Sequence, residues 1–211
     1  MPYPYKIEIP KIVQKAYDQA AKIGFPVMLE GRPIGHSGPA TTIIPEDGAL
    51  LRMLAAAHPG ARIGEIGTGA GVSAAWLLSG ISNDATLFTC DIDNTLIESA
   101  QLFFNAFPNV EVKAGDWQQL IFDTKPFDLL FFDATPRAFL QERSNWDIAT
   151  ELINVGGQIV MDDLAPVESW PREWEGMTDI KREFILFNPR IAGTEVRTTA
   201  NTVSLVGTRI S

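Results

Sequence analysis

Apolar residues recur along this chain in two rhythms. From Ile12 to Ile23 they fall at helical spacing, with Ile12, Ala16, Ala20 and Ile23 on one face. Residues 31–40 are rich in glycine and proline and break any period, so they read as an irregular loop. Pro45-Glu46-Asp47 then opens a second helix, with proline and two acids in the first turn and Leu50, Leu51, Leu54 and Ala55 as its stripe.

Beyond that point strands and helices alternate. Strands are expected at Arg62–Ile66, Thr86–Cys90, Val110–Ala114, Phe127–Phe132 and Gly156–Met161. Helices are expected at Val72–Leu78, about Asn94–Phe107, and one closing near Ala149–Leu152. Phe127–Phe132 is apolar at nearly every position, as a strand covered on both faces must be. Such alternation implies a parallel sheet with right-handed crossovers. Phe184–Phe187, Glu195–Thr199 and Thr202–Val206 are short β-like runs, read as supplying an antiparallel pair at the carboxyl end.

No repeat, linker or low-complexity tract divides the 211 residues, so one domain is expected over 1–211. Within it, residues 1–44 form a helix and covering loop, and 45–211 the core. Acidic residues outnumber basic ones by 26 to 17, a formal charge of −9, which disfavours a nucleic-acid partner. The single cysteine, Cys90, has no internal partner for a disulfide. No apolar run resembles a signal peptide or a membrane span, so a cytoplasmic protein without membrane attachment is expected.

Open parallel sheets bind ligands beyond the carboxyl ends of their strands. Each such end here carries an acid: Glu65, Asp91, Asp116, Asp133 and Asp162-Asp163. Gly67, Gly69 and Gly71 lie between a strand and a helix, where they permit a tight turn and close backbone approach to a ligand. A glycine turn alone fits a purely structural role equally well. Asp91, about 20 residues further on, is placed to accept hydrogen bonds from ribose hydroxyls. The spacing is Gly-x-Gly-x-Gly, and Glu65 stands just before it. A carboxylate there repels a pyrophosphate and suits the cationic amino-acid end of S-adenosylmethionine.

The segments Pro45-Glu46-Asp47-Gly48, Glu65 to Ser73, Asp91-Ile92-Asp93, Phe127 to Ala134 and Gly156 to Asp163 follow one another in an order that resembles the class I S-adenosylmethionine-dependent methyltransferases. They are similar in particular to the caffeoyl-CoA and catechol O-methyltransferase branch, from roughly Thr41 to the C-terminus. The resemblance implies a Rossmann-like, doubly wound α/β domain whose sheet is mostly parallel and seven-stranded. It implies that Thr42, Ile43, Glu65, Gly67, Gly69 and Ser73 face the methionine portion of the cofactor. Asp91 would hold the ribose beside Ile92, and Gly115, Asp116 and Trp117 would surround the adenine. Trp117 fits core packing as well. Asp133 would lie between cofactor and metal. A small, hydroxylated aromatic acceptor and a homodimer through the N-terminal helix are implied too.

In that branch a magnesium-like divalent cation activates the acceptor, and the matching positions are Asp133, Asp162 and Asp163, the last usually asparagine. Asp162-Asp163 as a solvated strand end is the alternative. The Asp-Ala-Asp-Lys pattern reads Asp133-Ala134-Thr135-Pro136 here, so the lysine that assists the acceptor is gone. Weak activity on simple catechols follows unless another group substitutes, with Asp133, Asp162 and His36 the available catalytic side chains. Arg137 stays protonated and suits an anionic acceptor rather than a proton. His36 equally fits a structural loop residue, and His58 a surface one. Trp170, Pro171 and Trp174 would wall an aromatic substrate or pack a dimer. Two other readings remain: an NAD-dependent oxidoreductase, and a binding protein that kept its donor site without catalysis.

Overall fold

The computed structural model describes residues 7–30, 39–120 and 125–211. His36 lies outside the described residues. Seven strands form one sheet in the order β3-β2-β1-β4-β5-β7-β6. They are β1 (Arg62–Ile66), β2 (Thr86–Asp91), β3 (Val110–Ala114), β4 (Phe127–Phe132), β5 (Ile153–Leu164), β6 (Ile191–Arg197) and β7 (Val203–Arg209). The first five run parallel, while β7 is antiparallel to both β5 and β6. The fold is thus the Rossmann-like, doubly wound α/β class, with an antiparallel pair at its carboxyl end.

The two faces of the sheet are covered by different helices. On one side α1 (Lys11–Lys22), α2 (Pro45–Ala56), α3 (Val72–Leu78) and α4 (Asn94–Phe104) pack over Ile63, Leu87, Leu129, Phe131 and Val160. On the other, α5 (Trp117–Leu120), α6 (Pro136–Leu140), α7 (Asn145–Glu151) and α8 (Ile180–Phe187) cover Phe88, Leu130, Phe132, Ile159 and Met161. Successive residues of β4 go to opposite cores, which is why its sequence carries no polar phase. The apolar face of α1, with Val13, Ala16, Tyr17 and Ala20, is spent inside this core.

Local sequence accounts for most boundaries. Pro45 sits at the start of α2, where its missing N–H costs nothing, and Asp93 caps α4 by accepting from Thr95 N and Leu96 N. One element differs in kind from the sequence-based expectation. Phe184–Phe187 is not a strand but the end of α8, whose N-terminus is capped by the Asp179 carboxylate accepting from Lys181 N and Arg182 N. The helical period buries Phe184 and Ile185 and leaves Phe187 73% exposed, a pattern that a β-rich composition conceals. The final hairpin is β6 with β7, which extends the expected 202–206 run to Arg209. β5 is longer than expected and is broken by a register shift between Met161 and Leu164. There Asp163 adopts φ +62°. Such irregularities re-aim side chains at strand ends.

Candidate active site

β1 has β2 on one side and β4 on the other, so the chain leaves the sheet in opposite directions at its carboxyl end and opens a crevice there. The glycine turn floors it. Gly67 holds φ +106°, and a Cβ there would meet Ala134 at 3.0 Å, so no other residue fits. Gly67 N and Thr68 N both donate to Cys90 O, tying the turn to β2.

Glu65 is fully buried beneath this turn. Thr89 Oγ1 donates to its Oε2 at 2.5 Å, and Thr68 Oγ1 shares a 2.6 Å hydrogen bond with Thr89 Oγ1. Oε1 is buried and has no hydrogen-bond partner within bonding distance among the described residues. Burial pushes the carboxyl up to about 8; the Ser73 and Thr89 hydroxyls pull it down, and the charges of Asp133 and Asp91 add to the rise. An acid held in this state is completed by a cation with N–H donors.

Asp91 ends β2 with both carboxylate oxygens engaged: Oδ2 accepts from Gly69 N at 2.9 Å and Oδ1 from Asp93 N at 3.0 Å. It braces the glycine turn and retains further lone pairs. On its far side a cavity of about 680 Å³ is lined by Ile92, Gly115, Asp116, Trp117 and Phe139, among others. Ile92 is 71% exposed on its rim. Trp117 takes part in the core and also borders this cavity. It packs edge-on against Phe132 and Phe139 at 4.9 and 4.7 Å.

Across the turn a second cavity, of about 370 Å³, is bounded by Thr42, Ile43, Gly67, Gly69, Ser73 and Asp133. Thr42 is fixed there by accepting from Met28 N at 2.9 Å through its hydroxyl. A third cavity of about 660 Å³ shares Thr42, Ile43, Asp133, Asp162 and Asp163 with it, so the two meet at the carboxylates. Pro136, Arg137, Trp170, Trp174 and Met177 wall this third space.

Asp133, Asp162 and Asp163 each bring one carboxylate oxygen within 4.8 Å of the others. The irregularity at the end of β5 makes this possible. Asp162 is buried with Oδ1 unpartnered among the described residues; burial, then its acidic neighbours Asp163, Asp133 and Asp47, holds its carboxyl well above the usual range against the charge of Lys181. Three hard oxygen donors, one of them orphaned, fit a divalent cation.

Two residues here were invisible to sequence reasoning. Asp47, read only as a first-turn acid of α2, lines the third cavity and accepts from Ser204 Oγ at 3.0 Å. Burial raises its carboxyl to about 6, against the hydrogen bonds of Thr198 and Ser204. Lys181 lines the same cavity from α8, and was hidden because the helix itself was not foreseen. A capping acid, Asp179, followed by mixed helical residues was the available signal. Arg137 donates to Asp179 at 2.5 Å, and Arg182 to Glu195 at 2.5 Å and to Ala165 O at 2.8 Å, with its guanidinium 5.4 Å from the centre of the Trp170 ring.

A Rossmann-like sheet with a glycine turn, a buried acid before it and an acid at the end of β2 frames a ligand crevice at the carboxyl ends of the strands. Residues 65–164 match the sequence model of a family described as a methyltransferase domain. A Mycobacterium ulcerans protein named "Putative O-methyltransferase" is 38% identical over 131 residues, covering 59% of this chain and 52% of that protein. A Mycobacterium avium protein of the same name is 39% identical over 103 residues, 46% of each. The chain therefore spans about half the length of the curated relatives it matches. The fold is shared with the O-methyltransferase of Bacillus cereus solved with SAH (TM-score 0.71, 22% identity, 96% of this chain and 93% of that one). It is shared equally with Streptomyces achromogenes TomG solved with SAM (TM-score 0.71, 20% identity, 97% and 92%).

Proposed function

We propose that this chain transfers a methyl group from S-adenosylmethionine to an oxygen of a small acceptor, a hydroxylated aromatic being the best fit to the tryptophan-walled cavity. The observation that carries this reading is the buried, unpartnered Oε1 of Glu65 beneath the glycine turn. A dinucleotide would bring a pyrophosphate toward that acid, whereas the methyl donor brings an ammonium. The names of the mycobacterial relatives agree.

The roles follow from position. Glu65 and Ser73, with Thr42 and Ile43, hold the methionine end; Asp91 orients the ribose; Gly115, Asp116 and Trp117 receive the adenine. The meeting of the donor and acceptor cavities at Asp133 lets the acceptor oxygen approach the methyl carbon in line, which removes most of the entropy of encounter. Trp170 and Trp174, packed edge-on at 5.8 Å, give the acceptor cavity an aromatic wall. Asp133, Asp162 and Asp163 would hold a divalent cation, which supplies a Lewis acid for the acceptor hydroxyl when bound. His36, as a base, stays a second source of proton acceptance to be tested by H36A.

We read residues 1–211 as one domain, with 1–44 contributing Thr42 and Ile43 as a cover over the donor. A formal charge of −9 supports a small-molecule acceptor over a nucleic acid. Among the described residues no helix is long and apolar enough to cross a membrane. The lone thiol, Cys90, is buried and pushed up to about 12 by burial, an inert group that agrees with cytoplasmic residence. A homodimer is checked by sedimentation.

The deciding experiment is transfer of labelled methyl from S-adenosylmethionine across a panel of phenols, amines and thiols, with and without magnesium. It is paired with calorimetric titration of S-adenosylmethionine, its demethylated product and NAD. Label on phenols alone is expected. Binding of NAD in preference to the methyl donor overturns the reading, and donor binding without transfer to any acceptor reduces it to a binding protein.

A further inference from the structure

This inference rests on the methyl-transfer reading above and concerns the same cavity. Pro136 leaves no cation where the resemblance expects a lysine, yet the structure brings a different lysine to that cavity. Lys181, in the first turn of α8, is only 4% exposed and lines the space shared with Asp133, Asp162 and Asp163.

Its placement costs stability on two counts. Lysine is almost never buried without a paired charge, and a cation in the first turn of a helix opposes the positive end of the helix dipole. Local violations of this kind collect at functional sites. The neighbouring cations are fully explained by other work. Arg182 is bound to Glu195 and Ala165 O and lies over Trp170, and Arg137 is bound to Asp179. Lys181 differs. Its ammonium carries three donors, and among the described residues its one hydrogen bond is to a main-chain oxygen, Asp162 O, at 2.7 Å. That bond anchors the ammonium at the end of β5, beside the carboxylates at which donor and acceptor cavities meet.

We propose that Lys181 binds the acceptor's nucleophilic oxygen as it becomes anionic, performing the task that Pro136 leaves unfilled. The acceptor's O–H proton leaves to water in the cavity as the oxygen ionises. An oxygen lone pair then forms the O–CH₃ bond as the methyl–sulfur bond breaks, and sulfur keeps that bond's electrons as a neutral thioether. Lys181 contributes charge and N–H donors only. If it served only to offset the carboxylates, its removal would act on all acceptors alike. A lysine that stabilises oxyanion matters most for acceptors that ionise with difficulty.

The test compares the native chain with K181Q, K181M and K181R in two measurements. In the first, 4-nitrocatechol is bound with the demethylated cofactor in the presence of chelator, and its visible absorption reports ionisation of the bound phenol. The native chain is expected to hold it ionised at a pH where K181Q and K181M leave it neutral, with K181R recovering part of the effect. In the second, kcat is followed over phenols of falling pKa. The glutamine and methionine variants should lose about 10²–10³-fold on plain phenols and little on acidic ones. Equal ionisation in the native chain and K181M, or a loss uniform across phenols, overturns the proposal. A native chain that ionises 4-nitrocatechol through Lys181 yet transfers no methyl would keep the oxyanion site and overturn the transferase reading instead.

Discussion

Replacing Glu65 with glutamine should make the empty protein more stable and its donor site worse. The carboxyl is raised from 4.5 to about 8 by burial above all, so the folded state keeps a proton that the unfolded state releases. Below pH 4.5 both states are protonated and the acid costs nothing. As pH climbs from 4.5 the unfolded chain ionises while the folded one does not, so stability is lost steadily until about pH 8. At 1.36 kcal/mol per pH unit the cost at pH 7 is about 3 kcal/mol. The variant can still accept from Thr89 Oγ1, and its amide N–H₂ takes the place of the unpartnered oxygen, which returns part of the gain. A net stabilisation of roughly 2–3 kcal/mol at pH 7 is expected, absent at pH 4. Urea unfolding of both proteins at several pH values between 4 and 9 measures it. In the same variant S-adenosylmethionine should bind about 10- to 150-fold more weakly, because a charge-assisted pair with its ammonium is gone. Parallel pH profiles for the two proteins, or undiminished donor binding by E65Q, would refute the argument that this acid is kept at a cost for the sake of a cationic ligand.

Asp91→Ala removes both the ribose acceptor and the brace on Gly69 N, so calorimetry should show donor binding weakened by roughly 1–3 kcal/mol with the overall fold intact. Asp162→Asn relieves a buried acid, so it should raise the melting temperature above neutral pH, where ionisation costs most, while abolishing any magnesium-dependent activity. Activity unaffected by both chelator and this change would exclude a metal role for the cluster. Trp117→Ala should cost about 3–5 kcal/mol of stability, since its packing on Phe132 and Phe139 is lost together with the cavity wall. A loss confined to donor binding would instead make it a cofactor residue alone.

Much of this protein is written locally in its chain. Alternating apolar segments, Pro45 at a helix start and three glycines after a strand describe the parallel core, because backbone chemistry and period act over neighbouring residues. Strand-end acids point to the crevice for the same reason. Glu65, Asp91 and Asp133 could be placed there from sequence, since a parallel sheet sends every strand's carboxyl end to one edge. What remained illegible depends on residues distant in the chain. Phe184 to Phe187 have the composition of a strand, and only the Asp179 cap and the buried space awaiting Phe184 and Ile185 make them helical. The kink that turns Asp162 and Asp163 toward the cavity exists because β7 pairs with β5 out of step there. Asp47 gains its raised affinity for a proton from burial, against the hydrogen bond it accepts from Ser204, 157 residues away. Lys181 reaches the acceptor cavity only once α8 has formed and docked. Periodicity specifies which face a residue takes, but the electrostatic surroundings of a side chain are set by whatever the fold packs against it.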